Sequence, residues 1–184
     1  NCSFHHASVG DLPFSDNSLD FAYSLGVLHH IPETLEGINS IAKKLKQGSP
    51  FLVYLYYAFD NRPIWFRMMW RVSDIIRRFI SCLPYKLRLV LSQSIAILIY
   101  FPLARGARLL DLLKVMPRSW PLGYYRDKSF YVMRTDALDR FGTRLEQRFS
   151  KQKIELMLKK SGFKDIYFSI KQPYWCAVGI KEKV

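Results

Sequence analysis

The sequence predicts an α/β fold that is interrupted by a mainly helical, basic segment. Two observations predict the fold class: a strand, helix and strand follow one another within residues 1–60, and a helix followed by two strands occupies residues 149–184. Residues 61–148 differ in composition and favour helices. We therefore expect an α/β core built from both ends of the chain, with an insertion between them.

The first strand is predicted at SLDFAYSL, from Ser18 to Leu25. This run is short, apolar and aromatic, is entered through Asp20 and is followed by Gly26, which is typical of a buried strand that ends in a turn. Gly26 supplies the conformational freedom that such a turn requires.

A helix is predicted directly after this strand. Pro32 is suited to the first turn of a helix, and the acidic side chains of Glu33 and Glu36 are stabilised near the N-terminus, which is the positive end of the helix dipole. Apolar residues recur at spacings of three and four, which predicts one buried face. These residues are Leu35, Ile38, Ile41, Ala42 and Leu45.

The second strand is predicted at PFLVYLYY, from Pro50 to Tyr57. An almost uninterrupted apolar run of this length suits a parallel strand that is covered on both faces. Strand, helix and strand in this order indicate a βαβ unit.

The C-terminal region is predicted to close the same core. In FSKQKIELMLKKSGF, Ser150 is a candidate N-cap and Gly162 a candidate helix stop. The segments DIYFSI and YWCAVGIK follow as two closing strands.

Residues 61–148 contain most of the positive charge. They include 17 basic and 6 acidic side chains, a net charge of +11, against a total of +13 for the chain. The segment IWFRMMWRVSDIIRRFI places arginines on one helical face and aromatic and aliphatic residues on the other. This helix could lie on an anionic membrane surface or cover the protein's own core, and the sequence leaves both alternatives open.

Residues 89–104 form an uncharged run between Arg88 and Arg105. A bilayer-spanning helix needs roughly 20 mostly apolar residues, and this run also contains Ser92, Gln93 and a proline. We therefore expect a buried or interfacial helix rather than a membrane-spanning one.

Cysteine and histidine usage does not predict a disulfide framework or a metal site. The three cysteines lie far apart without a CxxC pair. The histidines form only two adjacent pairs, His5 with His6 and His29 with His30, and three or four converging ligands would be needed for zinc or iron. A reducing, cytoplasmic location is expected, with peripheral membrane contact as a further expectation.

The stretch VGDLPFSDNSLDFAYSLGVLHHIPETLEGINSIAKKLKQGSPFLVYLYY resembles the second half of the class I S-adenosylmethionine-dependent methyltransferase core. The resemblance is to small-molecule methyltransferases with the GDxLPF and VLHHI patterns. It implies a partial, Rossmann-like sheet, a helical insertion after the family's fifth strand, and an N-terminally truncated chain. His5 and His6 would lie on a strand that precedes the GDLPF loop. The family's glycine-rich loop and the acidic residue that binds the cofactor ribose have no counterpart in this sequence.

The resemblance also implies a set of residues that bind S-adenosylmethionine. Asp11 would accept a hydrogen bond from the adenine amino group and the amide of Leu12 would meet the ring edge, a pairing that is chemically suited to adenine. Ser24 and Leu25 would face the methionine portion, and His29 would line the pocket. Asp11 is also an ordinary turn residue before a proline.

Only one of the two adjacent histidines can readily face a cleft, so the other is expected to pack or cap locally. A role for His29 as a catalytic base stays open, because methyl transfer requires a base only if the acceptor loses a proton. The sequence therefore assigns no catalytic residue.

In this family, the insertion lies over the active site and selects the acceptor. Here the candidate acceptor-binding residues suit a planar or anionic acceptor, although any of them could instead belong to a solvated surface. They are Tyr124, Tyr125, Arg126, Tyr131 and Arg134.

The expected function is methyl transfer from S-adenosylmethionine to a small hydrophobic or amphipathic acceptor, with peripheral membrane contact through residues 61–105. The alternative is a non-catalytic remnant that binds a membrane surface or a partner protein. A nucleic-acid methyltransferase is less favoured, because the basic segment is also the most apolar one and carries no nucleic-acid-binding motif.

Overall fold

A computed structural model describes residues 2–117, 120–171 and 173–182. The chain forms two compact units. Unit 1 consists of Asn1–Arg62 and Leu145–Val184, and unit 2 consists of Pro63–Arg144. Unit 1 contains the sheet and unit 2 is helical. The predicted α/β class is therefore confirmed.

Unit 1 is built on a four-stranded mixed sheet in the order β1-β2-β4-β3. Its strands are β1 (Ala22–Leu25), β2 (Pro50–Tyr54), β3 (Phe163–Phe168) and β4 (Cys176–Lys181). Strands β1 and β2 are parallel and are connected through helix α1, while β2 pairs antiparallel with β4. This arrangement confirms the predicted βαβ unit and the two closing strands.

Helix α1 (Thr34–Lys44) forms the predicted crossover. Its apolar positions Ile38, Ile41 and Ala42 are buried in the same cluster as Phe51 of β2. The periodicity of three and four residues therefore identified the correct face of this helix.

Helix α6 (Lys151–Lys160) begins and ends as the sequence predicts. The side chain of Ser150 accepts a hydrogen bond from the amide of Lys153 at 3.3 Å, which caps the first turn. Gly162 follows the helix with φ of +79°, a conformation that favours glycine.

Several strand predictions need correction. Strand β3 covers Phe163–Phe168 rather than residues 165–170, and β4 begins at Cys176 rather than Tyr174. Strand β1 begins at Ala22 rather than Ser18, and β2 ends at Tyr54 rather than Tyr57. After Tyr54 the backbone changes partner, because the amide of Phe149 donates to the Tyr56 carbonyl at 2.8 Å. The strand expected around His5 and His6 is not formed: residues 2–7 are exposed and have no regular structure, since no described strand pairs with them.

Unit 2 consists of four α-helices and one short 3₁₀ helix, Gly123–Asp127, among the residues that the structure describes. The α-helices are α2 (Ile64–Ser81), α3 (Tyr85–Ile95), α4 (Phe101–Leu112) and α5 (Phe130–Gly142). A π-helical segment, Ala96–Tyr100, joins α3 and α4 into one helix of 28 residues. That helix is long and apolar enough to cross a membrane.

Candidate functional site

The GDLPF segment forms a tight loop in unit 1. The amide of Asp11 donates to the Ser8 carbonyl at 3.0 Å, and the amide of Phe14 donates to the Leu12 carbonyl at 2.8 Å. Asp11 is exposed, whereas Leu12 is half-buried and packs against the core. The loop therefore presents the Asp11 carboxylate to solvent on an anchored backbone.

A polar cavity of ≈ 410 Å³ lies beside this loop, and both Asp11 and Leu12 line it. Its other walls include Asp16 and Lys44, which form an ion pair of 2.7 Å, and Lys43. The Lys44 ammonium beside Asp16 lowers the pKa of that carboxyl group, by hydrogen bonding first and by charge second.

The two loop residues fit the chemistry that adenine requires. A carboxylate accepts a hydrogen bond from an exocyclic amino group, and a backbone amide donates one to a ring nitrogen. Within residues 2–117, 120–171 and 173–182, the Leu12 amide donates to no backbone carbonyl. An acceptor and a donor thus stand next to each other at the cavity wall.

Ser24 and Leu25 lie at the carboxyl end of β1. Ser24 is buried, and the Leu25 side chain is 49% exposed. Gly26 then turns the chain with φ of +73°, and its amide donates to the Tyr54 carbonyl at 3.1 Å. The carboxyl ends of parallel strands are where open α/β sheets bind ligands. Ser24 and Leu25 do not line the cavity beside Asp11, so the structure separates the predicted cofactor residues into two groups.

His29 is completely buried, with 0% exposure. Its ring stacks on Tyr56 with centroids 3.7 Å apart, and neither ring nitrogen has a hydrogen-bond partner among the described residues. Burial first, and the adjacent His30 second, lower the pKa of His29 to about 4. His29 is therefore neutral at physiological pH, and a role in lining the cofactor pocket stays a prediction.

His30 makes the local contact expected for one histidine of the pair. Its Nδ1 atom lies 2.9 Å from the Leu145 carbonyl oxygen, within unit 1. The neighbouring Gln147 side chain donates to the Ile31 carbonyl at 2.7 Å. These bonds attach the segment after β1 to the segment that leads into α6.

An aromatic pocket that the sequence reading missed lies at the carboxyl end of β2. It has a volume of ≈ 340 Å³ and is lined by Tyr54, Tyr57, Pro173 and Tyr174. Strand β4 runs antiparallel to β2, so the residues that precede Cys176 reach the same end of the sheet. Burial raises the pKa of Tyr54 above its usual value. The aromatic run YLYY could have indicated this pocket, but its tyrosines were predicted to be strand residues.

The five predicted acceptor-binding residues lie in unit 2 with different surroundings. Tyr125 is half-buried, and its hydroxyl donates to Asp136 at 3.0 Å. Arg126 forms an ion pair with Asp111 at 3.2 Å. Both residues therefore make contacts within unit 2.

The other three candidates, Tyr124, Tyr131 and Arg134, are exposed. Both tyrosines are 68% exposed, and the Arg134 guanidinium lies 5.7 Å from the Tyr131 ring centroid. None of the five candidates lines either of the two cavities described above. Acceptor binding by these residues stays a prediction.

Comparison with known families matches residues 1–53 to a methyltransferase domain. This match confirms the resemblance seen in the sequence over the part of the chain that contains Asp11, Ser24 and His29. S-adenosylmethionine is the cofactor that this family match indicates. No curated protein matches the chain.

Solved methyltransferase structures are similar to most of the chain. A SAM-dependent methyltransferase from Methanosarcina mazei is 12% identical with a TM-score of 0.48, over 96% of this chain and 65% of that one. One from Thermotoga maritima is 12% identical with a TM-score of 0.45, over 96% of this chain and 62% of that one. A phosphoethanolamine N-methyltransferase from Haemonchus contortus, solved with S-adenosylhomocysteine, is 15% identical with a TM-score of 0.38, over 87% of this chain and 21% of that one.

The chain thus spans less than two thirds of the length of these structures. At such identities and TM-scores the likeness says nothing about acceptor or mechanism. The family match over residues 1–53 is the finding that bears on function.

Proposed function

We propose that this protein transfers a methyl group from S-adenosylmethionine to a small hydrophobic or amphipathic acceptor. One observation supports the proposal above the others: the methyltransferase-domain match covers the loop in which Asp11 and Leu12 line one cavity as adjacent acceptor and donor. The activity and the cofactor-binding roles of Asp11, Leu12, Ser24, Leu25 and His29 belong to this proposal.

The residues of this chain would act by binding and orientation. When bound, S-adenosylmethionine supplies a methyl carbon attached to a positively charged sulfur leaving group. Holding the acceptor atom, this carbon and the sulfur in line can supply most of the catalysis. Asp11 and Leu12 would hold the adenine ring, while Ser24 and Leu25 would face the methionine end. The lowered pKa of His29 makes it a weak base, which such a displacement tolerates.

The aromatic pocket at the end of β2 is the site that we propose for the acceptor. Tyr54, Tyr57 and Tyr174 present ring faces and hydroxyl groups, which suits an acceptor with an apolar body and one polar end. The pocket adjoins the carboxyl end of β1, because the Gly26 amide donates to the Tyr54 carbonyl. The predicted contribution of Tyr124, Tyr131 and Arg134 to acceptor selection is a separate part of the proposal.

Cofactor binding by the full-length protein tests the proposal. Titration with S-adenosylhomocysteine, followed by calorimetry, is expected to show saturable binding with one site per chain. Incubation with methyl-labelled S-adenosylmethionine and a panel of amphipathic acceptors should then show label transfer. If S-adenosylhomocysteine binds but no acceptor is labelled, the protein only binds the cofactor, and the proposed methyltransferase activity is overturned.

A non-catalytic, membrane-surface protein is the second candidate function. The many exposed apolar side chains of unit 2 favour it. A protein of this kind would bind lipid vesicles without binding S-adenosylhomocysteine. We place the protein in the cytoplasm with a peripheral membrane contact through residues 61–105, and we regard a nucleic-acid acceptor as the least favoured.

A further inference from the structure

Helix α2 exposes its apolar face. Its buried positions are Asp74, Arg77, Ile80 and Ser81, so three of the four are polar. Its large apolar side chains are exposed instead, which is the reverse of a helix that covers a soluble core. The exposed residues are Ile64, Trp65, Met68, Met69, Val72, Ile75, Ile76 and Phe79.

The continuous helix formed by α3 and α4 is exposed in the same way. In its most apolar window of 18 residues, only 22% of the residues are buried. Most residues that face inwards are small or polar, as Ala96, Ala104, Ala107 and Ser92 show, and Tyr100 is the large buried exception among the described residues of this helix. The exposed apolar set is Leu87, Val90, Leu91, Ile97, Leu98, Ile99, Phe101, Leu109 and Leu112.

The interior of unit 2 contains a network of polar hydrogen bonds. Arg77 donates to Asp74 at 2.7 Å and to the Thr143 carbonyl at 2.7 Å, and Arg88 donates to the Gly142 carbonyl at 3.3 Å. Beside this network lies an apolar cluster that includes Tyr100 and Met133. Most of the large apolar side chains of α2 and of the α3–α4 helix are nevertheless exposed, and exposed apolar faces combined with buried polar groups are characteristic of helices in contact with lipid. A soluble monomer rarely exposes so many large apolar side chains on neighbouring positions of its helices.

Charge distinguishes between a lipid surface and a second copy of the chain. Unit 2 contains 15 basic and 5 acidic side chains, a net charge of +10. Arg67, Arg71 and Arg78 are exposed on α2, and Arg108 is exposed on α4. Two copies that met through this surface would repel each other, whereas anionic lipid headgroups would attract it.

The length of the uncharged run favours a position along the membrane surface. Residues 89–104 are bracketed by Arg88 and Arg105, and sixteen helical residues span about 24 Å at ~1.5 Å per residue. The hydrocarbon core of a bilayer is about 30 Å thick. Pro102 and the polar residues Ser92, Gln93 and Ser94 also lie within this run.

We propose that unit 2 docks onto an anionic lipid bilayer surface through the exposed apolar faces of α2 and of the α3–α4 helix, with their arginines at the headgroups. An amphipathic helix binds such a surface through its buried apolar area and through attraction to anionic lipid. Trp65, which is exposed on α2, suits the headgroup boundary. This docking rests on the proposed peripheral membrane contact and specifies its surface and its lipid, and it does not require methyl transfer.

Vesicle flotation with the full-length protein tests the docking. Vesicles of phosphatidylcholine alone are compared with vesicles that contain a third phosphatidylglycerol. We expect binding to the anionic vesicles to be stronger by about tenfold or more, and to weaken as salt is raised. Ile75→Glu, on the exposed face of α2, should weaken it about tenfold, since a large apolar side chain is replaced by an anion.

Gln152→Glu is the matched control, because it adds the same charge at an exposed position of α6 in unit 1. It should bind as the wild type does. If circular dichroism shows that Ile75→Glu is unfolded, the double variant Arg67→Gln/Arg71→Gln is used instead. The double variant should lose the preference for anionic vesicles.

Three results would overturn the docking. One is a lack of binding to either kind of vesicle, and another is equal binding to both. The third is self-association in the absence of lipid that Ile75→Glu abolishes, which would identify a second copy as the occupant. If the protein fails to bind S-adenosylhomocysteine, the proposed methyl transfer is refuted. Vesicle binding is measured independently of the cofactor, so each proposal can fail without the other.

Discussion

The ring of His29 stacks on the ring of Tyr56, with centroids 3.7 Å apart and planes inclined by 26°. This contact places an imidazole that has no hydrogen-bond partner among the described residues inside unit 1, beside the carboxyl ends of β1 and β2. A buried imidazole resists protonation, because the charged form would lose its hydration. The position of His29 therefore makes the stability of unit 1 depend on pH.

We predict that acid destabilises the protein through His29. Its pKa is 6.5 in the unfolded chain and about 4 in the folded one, so the unfolded state binds the additional proton between these values. The contribution of His29 is fully present above pH 6.5 and is lost as the pH decreases from 6.5 towards 4, at a cost of about 1–3 kcal/mol in the free energy of unfolding. Urea unfolding of the wild type and His29→Phe at pH 7.5 and pH 5 measures this difference.

His29→Phe should show a smaller loss of stability at pH 5 than the wild type. The control is His6→Gln, which changes an exposed histidine and should leave the pH dependence unchanged. An equal acid sensitivity in the wild type and His29→Phe would show that His29 is not buried as described.

Replacing Asp74 should destabilise unit 2 strongly. Asp74 accepts hydrogen bonds from Arg77 at 2.7 Å and from Arg78 at 2.9 Å, and the Arg77 side chain is only 3% exposed. Burial alone would raise the pKa of Asp74, but these two arginines hold that pKa below its usual value. Asp74→Ala would leave a buried arginine without its counter-ion, at a cost of about 3–5 kcal/mol in the free energy of unfolding.

Asp111→Ala is the comparison for Asp74→Ala in the same urea experiment. Asp111 also pairs with an arginine, Arg126, but its side chain is 53% exposed. Its removal should change the free energy of unfolding by no more than about 1 kcal/mol. Equal effects of the two variants would contradict the buried network.

Asp11→Ala should weaken cofactor binding. If the carboxylate accepts a hydrogen bond from the adenine amino group, its loss should raise the dissociation constant by the equivalent of about 1–3 kcal/mol. Asp165→Asn, at an exposed position of β3, is the control and should bind normally. Calorimetry with S-adenosylhomocysteine measures both, and an unchanged affinity in Asp11→Ala would remove Asp11 from the site.

Tyr174→Ala should impair acceptor binding if the aromatic pocket holds the acceptor. Tyr174 lines that pocket and lies 5.6 Å from the Tyr57 ring. Loss of one aromatic wall should raise KM for the acceptor several-fold while the affinity for S-adenosylhomocysteine stays the same. Tyr167→Ala, an exposed tyrosine on β3, is the matched control. If Tyr174→Ala changes only the affinity for S-adenosylhomocysteine, the aromatic pocket binds the cofactor and not the acceptor.

Local sequence signals predicted much of unit 1. The periodicity of α1 identified Ile38 and Ile41 as buried, and Ser150 and Gly162 marked the two ends of α6 correctly. Each of these features depends on residues within a few positions of one another, so the sequence contains the information locally.

Features that depend on distant contacts were not predictable. Strand β2 ends at Tyr54 because Phe149, almost a hundred residues later, pairs with the backbone beyond it. The complete burial of His29 and its stacking on Tyr56 likewise depend on residues that are distant in the sequence. The amphipathic pattern of α2 also could not reveal that its apolar face is exposed, because periodicity identifies a face and not what covers it.

The most direct test of the central claim is calorimetric titration of the full-length protein with S-adenosylmethionine. Saturable binding at one site per chain, weakened in Asp11→Ala and unchanged in Asp165→Asn, is the result that the proposed function predicts. No binding at any concentration, with the protein folded by circular dichroism, would contradict it.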